Sequence, residues 1–345
     1  MRRSWVEVSL SLLRKNVTAI GEHLSKTSQI MAIVKANAYG HGIDVVAPIL
    51  LNCGVREFGV VTLAEAVELR NTVRQARILV LGGCLQGEED IFRKQDLTAA
   101  VFDDRKVPKD VRVELKIDTG MTRLGVPWGE APAILRQLGS QVTGVYSHFA
   151  CADTDPDFTR LQLQRFEQAT QNVSCRRHIS DSAALQFSEA HLDAVRIGLA
   201  LYGIPPCPAL DYVKPILQWK TMILSLKGVG KGQPVGYGRT FFTERESKMG
   251  ALPVGYGDGY SRALSNRGQV RFRDRLVPVV GRISMDLTMV DLTDFPAPEV
   301  GEEILLLEDE AESPISALGL SRTLKTIPYE ILTSIGNRVT RMYTD

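Results

Sequence analysis

One lysine follows the first long apolar run of the chain and is the residue best suited to covalent or acid/base chemistry. Residues 34–42 read Val-Lys-Ala-Asn-Ala-Tyr-Gly-His-Gly, so that Lys35 stands directly after a run predicted as a strand. A charged amine is costly to bury, so Lys35 is either exposed to water or kept there as a neutral amine or an imine. Gly40 and Gly42 allow a ligand to approach the backbone, although they also suit an ordinary turn.

Five further polar residues fall at or just after the ends of other predicted strands: Lys116, Arg123, His148, Ser182 and Arg196. Taken singly, a histidine is more often a satisfied structural group and an arginine a surface charge. Active sites of parallel barrels lie at the carboxyl ends of the strands, where these side chains would meet. Their joint position therefore favours one shared site.

The elements that would position these residues are eight short apolar runs in the first 200 residues. Most are continuous rather than alternating, as in parallel strands that are covered on both faces. Segments with helical spacing, such as residues 63–73 and 158–170, alternate with them. The pattern predicts an α/β fold with an N-terminal (β/α)8 barrel, and a doubly wound open sheet remains the alternative. The runs are residues 30–36, 57–62, 77–82, 97–103, 112–118, 141–148, 176–182 and 194–201.

Proline usage changes near residue 204, with five prolines before that position and eleven after it. The later part has shorter strand patterns with frequent glycine and proline, which indicates a mostly antiparallel β domain. We predict a barrel over residues 11–210 and a C-terminal domain over residues 216–345. The predicted strands there are residues 222–229, 249–254, 269–272, 276–280, 287–292 and 303–307, with helices over 316–324 and 329–336 and a last short strand.

Composition restricts the classes of function. The 345 residues include 41 Lys plus Arg against 40 Asp plus Glu, so binding to nucleic acid or an acidic membrane has no electrostatic support. No run of 18 apolar residues occurs and the first residues lack a signal-peptide pattern, which predicts a cytoplasmic protein. The five cysteines are far apart and form no CxxC pair, which favours reduced thiols over a disulfide framework or a zinc site.

Residues 34–42 resemble the pyridoxal-phosphate lysine motif of alanine racemases. Related barrel enzymes share parts of that motif, but the resemblance continues in order along nearly the whole chain, including the C-terminal domain. The further segments are KIDTGMTRLG (116–125), SHF (147–149), DSAA (181–184), VRIG (195–198), VGYG (235–238), GYGDG (255–259), GRISMD (281–286) and PYE (328–330).

The resemblance implies an amino-acid racemase that uses pyridoxal 5'-phosphate to interconvert L-alanine and D-alanine, supplying D-alanine for peptidoglycan. It implies Lys35 as the lysine that carries the cofactor and Tyr237 as the second acid/base group on the opposite face. Tyr237 would come from the C-terminal domain of the partner in a homodimer. A phenol, whose ordinary pKa is about 10, needs help to act as a base near neutrality.

The resemblance also assigns the remaining site residues. Arg196 meets the cofactor's ring nitrogen and tunes Tyr237 through His148, while Tyr256, with Asp286 nearby, stands at the substrate entrance. Lys116 resembles a lysine that is carbamylated in many members. The cofactor phosphate is expected at Tyr39, Ser182, Gly198, Leu199 and Tyr329, and the substrate carboxylate at Arg123 and the backbone amide of the partner's Met285.

Two positions depart from the family pattern and leave the substrate open. Asp181 stands where asparagine is common, and Ser284 where cysteine is common. A racemase of broader or different specificity, for serine or lysine, remains an alternative, as does a non-catalytic protein that only binds pyridoxal phosphate. A barrel decarboxylase is disfavoured because no cysteine lies beyond Cys207. The first strand, residues 4–10, is expected to join the C-terminal domain, as it does in the family.

Overall fold

The computed structural model describes residues 3–345 and divides the chain into two compact units. One unit is Leu13–Val213, and the other combines the residues up to Leu12 with Lys214–Asp345. Among residues 3–345, no helix has both the length and the apolar character that a membrane crossing requires.

The unit Leu13–Val213 is a closed parallel barrel of eight strands. Each strand pairs with its neighbours in parallel, and pairing of the fourth strand with the fifth closes the ring. This confirms the predicted barrel and decides against the open sheet. The strands are β2 (Gln29–Ile33), β3 (Glu57–Val60), β4 (Arg77–Val80), β5 (Leu97–Val101), β6 (Arg112–Asp118), β8 (Val142–Tyr146), β9 (Arg176–His178) and β10 (Ala194–Ile197). The two-residue strand β7 (Val126–Pro127) adds to the edge of β6.

Helices alternate with these strands and cover the outside of the barrel. Helix α4 begins with a capping box in which Thr62 accepts from the backbone of Glu65, and the Glu65 carboxylate accepts from the backbone of Thr62. Such caps satisfy backbone groups at the strand-to-helix turns, where the site residues stand. The helical segments are α1 (Leu10–Glu22), the turn α2 (Lys35–Tyr39), α3 (Ile43–Asn52), α4 (Leu63–Thr72), α5 (Glu89–Lys94), α6 (Ala131–Leu138) and α7 (Pro156–Ala169).

The other unit is a mostly antiparallel β structure, as predicted. Its six-stranded sheet has the order β17-β16-β19-β11-β1-β20, in which only the pair β1 and β20 is parallel. The order uses β1 (Ser4–Ser9), β11 (Leu217–Met222), β16 (Gln269–Phe272), β17 (Arg275–Pro278), β19 (Glu303–Leu307) and β20 (Thr340–Thr344). Smaller sheets contain β12 (Ser225–Val229), β15 (Ser247–Leu252) and β18 (Thr288–Asp291), and β13 (Pro234–Val235) with β14 (Phe241–Phe242). Helices α8 (Ala317–Leu324) and α9 (Pro328–Thr333) complete it.

The sequence missed strand β11 in this unit. The strand predicted over residues 222–229 corresponds to β12, which begins at Ser225, whereas its first residue, Met222, ends β11, and the two strands belong to different sheets. Backbone hydrogen bonds from Ile223 to Glu302 and from Leu224 to Ala251 hold the crossing between the sheets. Local periodicity does not reveal such a crossing because β11 and β12 each pair with distant segments of the chain.

Candidate active site

Lys35 begins a left-handed turn at the carboxyl end of β2. Residues 36–39 all have φ between 50° and 54°, a region that side chains other than glycine rarely adopt. The Ala36 amide donates to the Glu65 carboxylate at 2.7 Å, and Asn37 accepts from the Ile43 amide at 2.8 Å. These contacts hold the turn in its strained conformation. Burial, with the nearby Arg123, lowers the pKa of Lys35 and favours a neutral amine.

Lys116 and Arg123 form a second cationic group at the same end of the barrel. Lys116 is buried on β6 and Arg123 is exposed in the segment that follows this strand. Burial first, and then the charges of Arg123 and Arg196, lower the pKa of Lys116 to about 8. This end of the barrel is therefore positively charged, which suits an anionic ligand.

Arg196 lies on β10, is 5% exposed, and donates hydrogen bonds to several groups inside the barrel. Its Nη1 donates to Nδ1 of His178 at 2.7 Å, and its Nη2 donates to Nδ1 of His148 at 3.1 Å. Further bonds to the carbonyls of Ser147 and Ile179 measure 2.6 and 2.9 Å. No acceptor among residues 3–345 takes the Nε hydrogen, so one guanidinium donor is available to a ligand.

The hydrogen bonds from Arg196 fix the tautomers of both histidines. A guanidinium only donates, so each Nδ1 is an acceptor and each neutral imidazole carries its hydrogen on Nε2. Burial, then the charge of Arg196, lowers the pKa of His148 well below its usual range. His148 Nε2 lies 3.8 Å from a carboxylate oxygen of Asp181, whose other oxygen accepts from the amides of Ala183 and Ala184. Asp181, which stands where the family commonly has asparagine, thus places a carboxyl group beside His148.

Glu114 and His178 belong to the same arrangement and were missed by the sequence analysis. Both are fully buried, and His178 Nε2 donates to the Glu114 carboxylate at 2.8 Å. Arg77 also donates to Glu114, at 2.7 Å. Burial opposes ionisation of Glu114, but its interactions with His178, and then the charge of Arg77, lower its pKa overall. The sequence feature that could have indicated Glu114 is a glutamate inside the apolar run of β6, where the neighbouring residues are buried.

The strand ends near Ser182 and Gly198 form a cradle of backbone donors. The Ser182 hydroxyl accepts from the amides of Gly198 and Ala200 at 3.1 and 3.4 Å. Within residues 3–345 the amides of Ser182 and Leu199 have no recorded acceptor. A Cβ at Gly198 would lie 2.5 Å from the Tyr39 hydroxyl, so only glycine permits this approach. These donors suit a dianion such as a phosphate.

The predicted site residues of the C-terminal unit lie largely on its surface. Tyr237, in a short turn after β13, is 72% exposed, and Met285 is 52% exposed. Tyr256 and Tyr329 are also exposed. The structure thus brings together Lys35, Tyr39, Lys116, Arg123, His148, Ser182, Arg196, Gly198 and Leu199 in the barrel unit, and places Tyr237, Tyr256, Met285 and Tyr329 in the other unit.

Comparisons with known proteins match both units. The family model for the alanine racemase N-terminal domain matches residues 8–206, and that for the alanine racemase C-terminal domain matches residues 216–343. An alanine racemase of Symbiobacterium thermophilum is 39% identical, over 99% of this chain and 97% of its own length. The chain belongs to the alanine racemase family. The resemblance stated from the motifs, and the interpretation as an amino-acid racemase, an isomerase, are confirmed.

Solved structures of alanine racemases have the same fold. That of the Streptomyces lavendulae protein aligns with a TM-score of 0.91 at 34% identity, over 100% of this chain and 98% of its own. That of the Bartonella henselae protein, which contains covalently bound pyridoxal phosphate, aligns with a TM-score of 0.91 at 28% identity, over the full length of both chains. The donor cradle, the lysine with lowered pKa and the free Arg196 donor fit this cofactor.

Proposed function

We propose that the protein is a pyridoxal-phosphate-dependent alanine racemase that interconverts L-alanine and D-alanine. The observation that carries the proposal is Lys35, with its lowered pKa, standing on a strained turn in a barrel unit that matches the alanine racemase N-terminal domain. When bound, pyridoxal phosphate supplies an electron sink that makes the α-proton of an amino acid removable.

The barrel residues hold and orient the cofactor. Ser182, Gly198, Leu199, Tyr39 and Tyr329 would supply the donors for the phosphate, as the resemblance to alanine racemases implies. Arg196 would donate its remaining Nε hydrogen to the ring nitrogen of the bound cofactor. Because a guanidinium does not readily give up a proton, it would leave this nitrogen unprotonated. We expect the resulting weaker electron sink to favour simple return of the proton over transamination.

Two groups move the α-proton on opposite faces of the substrate. The lowered pKa of Lys35 favours the neutral amine, whose free electron pair takes or returns the proton on one face. The partner subunit's Tyr237 acts on the other face. His148 contacts Tyr237 and, through its bond to Arg196, tunes the phenol. Because the Nε2 of His148 carries the hydrogen, it can donate to a phenolate oxygen.

The substrate carboxylate is bound by Arg123 together with the backbone amide of the partner's Met285. Carbamylation of Lys116 would turn a cation into an anion that orients Arg123. The exposure of Tyr237 and Met285 supports a homodimer in which the C-terminal unit, residues 216–345, completes the partner's active site. In such a dimer two identical surfaces bury each other and build two shared sites.

The relatives named above are bacterial, which supports a role in supplying D-alanine for peptidoglycan. The five cysteines within residues 3–345 are all free thiols, which supports a cytoplasmic location. Expression in a bacterial strain that requires D-alanine for growth tests the biological role. Growth without added D-alanine is the expected outcome, and continued dependence contradicts it.

The activity is tested by incubating the holoenzyme with L-alanine, L-serine or L-lysine and separating the enantiomers of each product. We expect rapid formation of D-alanine, with slower conversion of the larger side chains because Tyr256 and Met285 crowd the substrate side. Faster conversion of serine or lysine would support the alternative specificity. Absence of all three D-amino acids would leave a protein that only binds the cofactor.

A further inference from the structure

Two turns of the C-terminal unit carry the residues assigned to the substrate entrance and to the substrate carboxylate. We define the Tyr256 turn as residues 255–259 and the Met285 turn as residues 284–287. The Tyr256 amide donates to the Ser284 carbonyl at 3.1 Å, and the Gly257 amide to the Met285 carbonyl at 2.9 Å. The two turns are therefore in direct contact along their backbones.

The Met285 turn is closed by the serine that departs from the family pattern. The Ser284 hydroxyl lies 3.0 Å from both the amide and the carbonyl of Leu287, and the Ser284 amide donates to the same carbonyl at 2.9 Å. Among residues 3–345, the Met285 amide has no recorded acceptor. This turn thus presents a backbone donor whose direction depends on how the turn is held.

Arg338 joins the two turns through one carboxylate from each. Its Nη2 lies 2.7 Å from Asp286, next to Met285, and its Nε lies 3.2 Å from Asp258 in the Tyr256 turn. Asp258 is itself almost buried and accepts from the Gly255 amide at 3.0 Å through its second oxygen. One guanidinium therefore bridges both turns with its planar set of donors.

The space around Gly257 shows how closely these groups pack. A Cβ there would lie 2.7 Å from Arg338 Nη1 and 3.0 Å from the Met285 side chain. The Asp258 carbonyl in turn accepts from the Gly336 amide at 2.9 Å, which fixes the backbone just before Arg338. Neither turn can move far without breaking its bond to the guanidinium.

We propose that Arg338 is a positioning residue that fixes the Met285 amide and Tyr256 for recognition of the substrate carboxylate. The proposal rests on the function proposed above. Arg338 acts through Asp258 and Asp286 and does not itself contact the substrate. Because the Met285 amide would bind the carboxylate equally in the ground state and the transition state, loosening it raises KM and leaves kcat nearly unchanged.

The test compares holoenzymes carrying Arg338→Gln and Arg245→Gln. Arg245 is a matched control because it also pairs with a carboxylate of the same unit, at 2.7 Å, and is as exposed as Arg338. Exposed ion pairs are weak, so we expect Arg338→Gln to raise KM for alanine about threefold to tenfold. The affinity of propionate, an unreactive carboxylate measured by calorimetry, should fall by the same factor.

Amide hydrogen exchange separates failure of this proposal from failure of the proposed function. Arg338→Gln should speed exchange in both turns even if the protein does not racemise alanine. Asp286→Asn removes the ion pair between Arg338 and the exposed Asp286, so it should show part of the increase in KM and in exchange rate. In the double variant it should add little to the effect of Arg338→Gln, because both substitutions break the same ion pair. The proposal is overturned if Arg338→Gln has the same KM, propionate affinity and exchange rates as Arg245→Gln. It is also overturned if Arg338→Gln lowers kcat and leaves KM unchanged.

Discussion

At the scale of single residues, Arg196 determines the protonation pattern of the barrel interior. It donates to Nδ1 of both His148 and His178, so that both imidazoles present an Nε2 hydrogen on their far sides. His178 donates this hydrogen to Glu114, whereas Nε2 of His148 lies 3.8 Å from a carboxylate oxygen of Asp181. The Arg196 guanidinium thus orients His178 to donate to Glu114 and leaves the Nε2 hydrogen of His148 available to a ligand or a partner residue.

The carboxyl group of Asp181 provides a prediction specific to this chain. Asp181→Asn should change the free energy of unfolding by less than about 1 kcal/mol, because the Asn oxygen still accepts from the amides of residues 183 and 184. Loss of the nearby negative charge should lower the pKa of His148 further, since an opposite charge at this distance favours the imidazolium. Titration of the His148 ring nitrogens by NMR measures the shift. An unchanged titration in the Asn variant would show that Asp181 does not act on His148.

Lys116 gives a prediction about pH. Its pKa is lowered to about 8, so the neutral amine predominates above that pH and the ammonium below it. Only the neutral amine can attack carbon dioxide, forming an N–C bond and releasing one proton to give a carbamate. Carbamylation should therefore increase as the pH rises through about 8 and reverse on acidification. Carbon NMR with labelled bicarbonate measures it, with Lys116→Arg as the control. A wild-type spectrum no different from that of the control at high pH rules the modification out.

At the scale of elements, strands β4, β6, β9 and β10 contribute a continuous chain of polar contacts to the barrel interior. Arg77, Glu114, His178 and Arg196 follow one another at hydrogen-bond distances of 2.7 to 2.8 Å. Each group is positioned by the parallel register of its strand with its neighbours. Slippage of one strand by a residue would reverse its side chains and break this chain of contacts.

Replacing Glu114 tests how strongly this chain stabilises the barrel. Glu114→Gln keeps one acceptor for His178 but leaves Arg77 without its buried carboxylate, so the free energy of unfolding should fall by about 1–3 kcal/mol. Glu7→Gln is the control, because it removes one of two carboxylates from Lys220 at a more exposed pair. That change should cost less than about 1 kcal/mol. Urea unfolding measures both; equal losses would contradict the structural role of Glu114.

The sequence predicted the helices and strands better than it predicted the long-range contacts between them. Lys35, Ser182 and Arg196 could be predicted as site residues because polar residues at the ends of apolar strands are visible as local patterns. Glu114 and His178 were missed because a charge inside a buried strand is recognised only when its partner on another strand is known. Long-range pairing also decides the closure of the barrel by β5 and β6, and the assignment of β11 and β12 to different sheets.

At the scale of the whole molecule, the proposed homodimer with shared sites makes a quantitative prediction. Lys35→Ala and Tyr237→Phe should each be inactive alone. In a mixed dimer, one site carries both substitutions and the other carries neither. An equal mixture that exchanges subunits should therefore recover about a quarter of the wild-type activity, since half of the dimers are mixed and each has one intact site. The measurement is the racemisation rate after subunit exchange. No recovery in a mixture shown to contain mixed dimers would place Lys35 and Tyr237 of one site in the same subunit.

Exchange of the α-hydrogen in heavy water tests whether two groups act on opposite faces of the substrate. The wild-type holoenzyme should convert L-alanine into D-alanine that carries deuterium at the α-carbon. The Tyr237→Phe holoenzyme should bind the cofactor normally and exchange the α-hydrogen of one enantiomer only, through Lys35, without racemising it. Racemisation by Tyr237→Phe at the wild-type rate, with exchange into both enantiomers, would show that Tyr237 is not the second acid/base group.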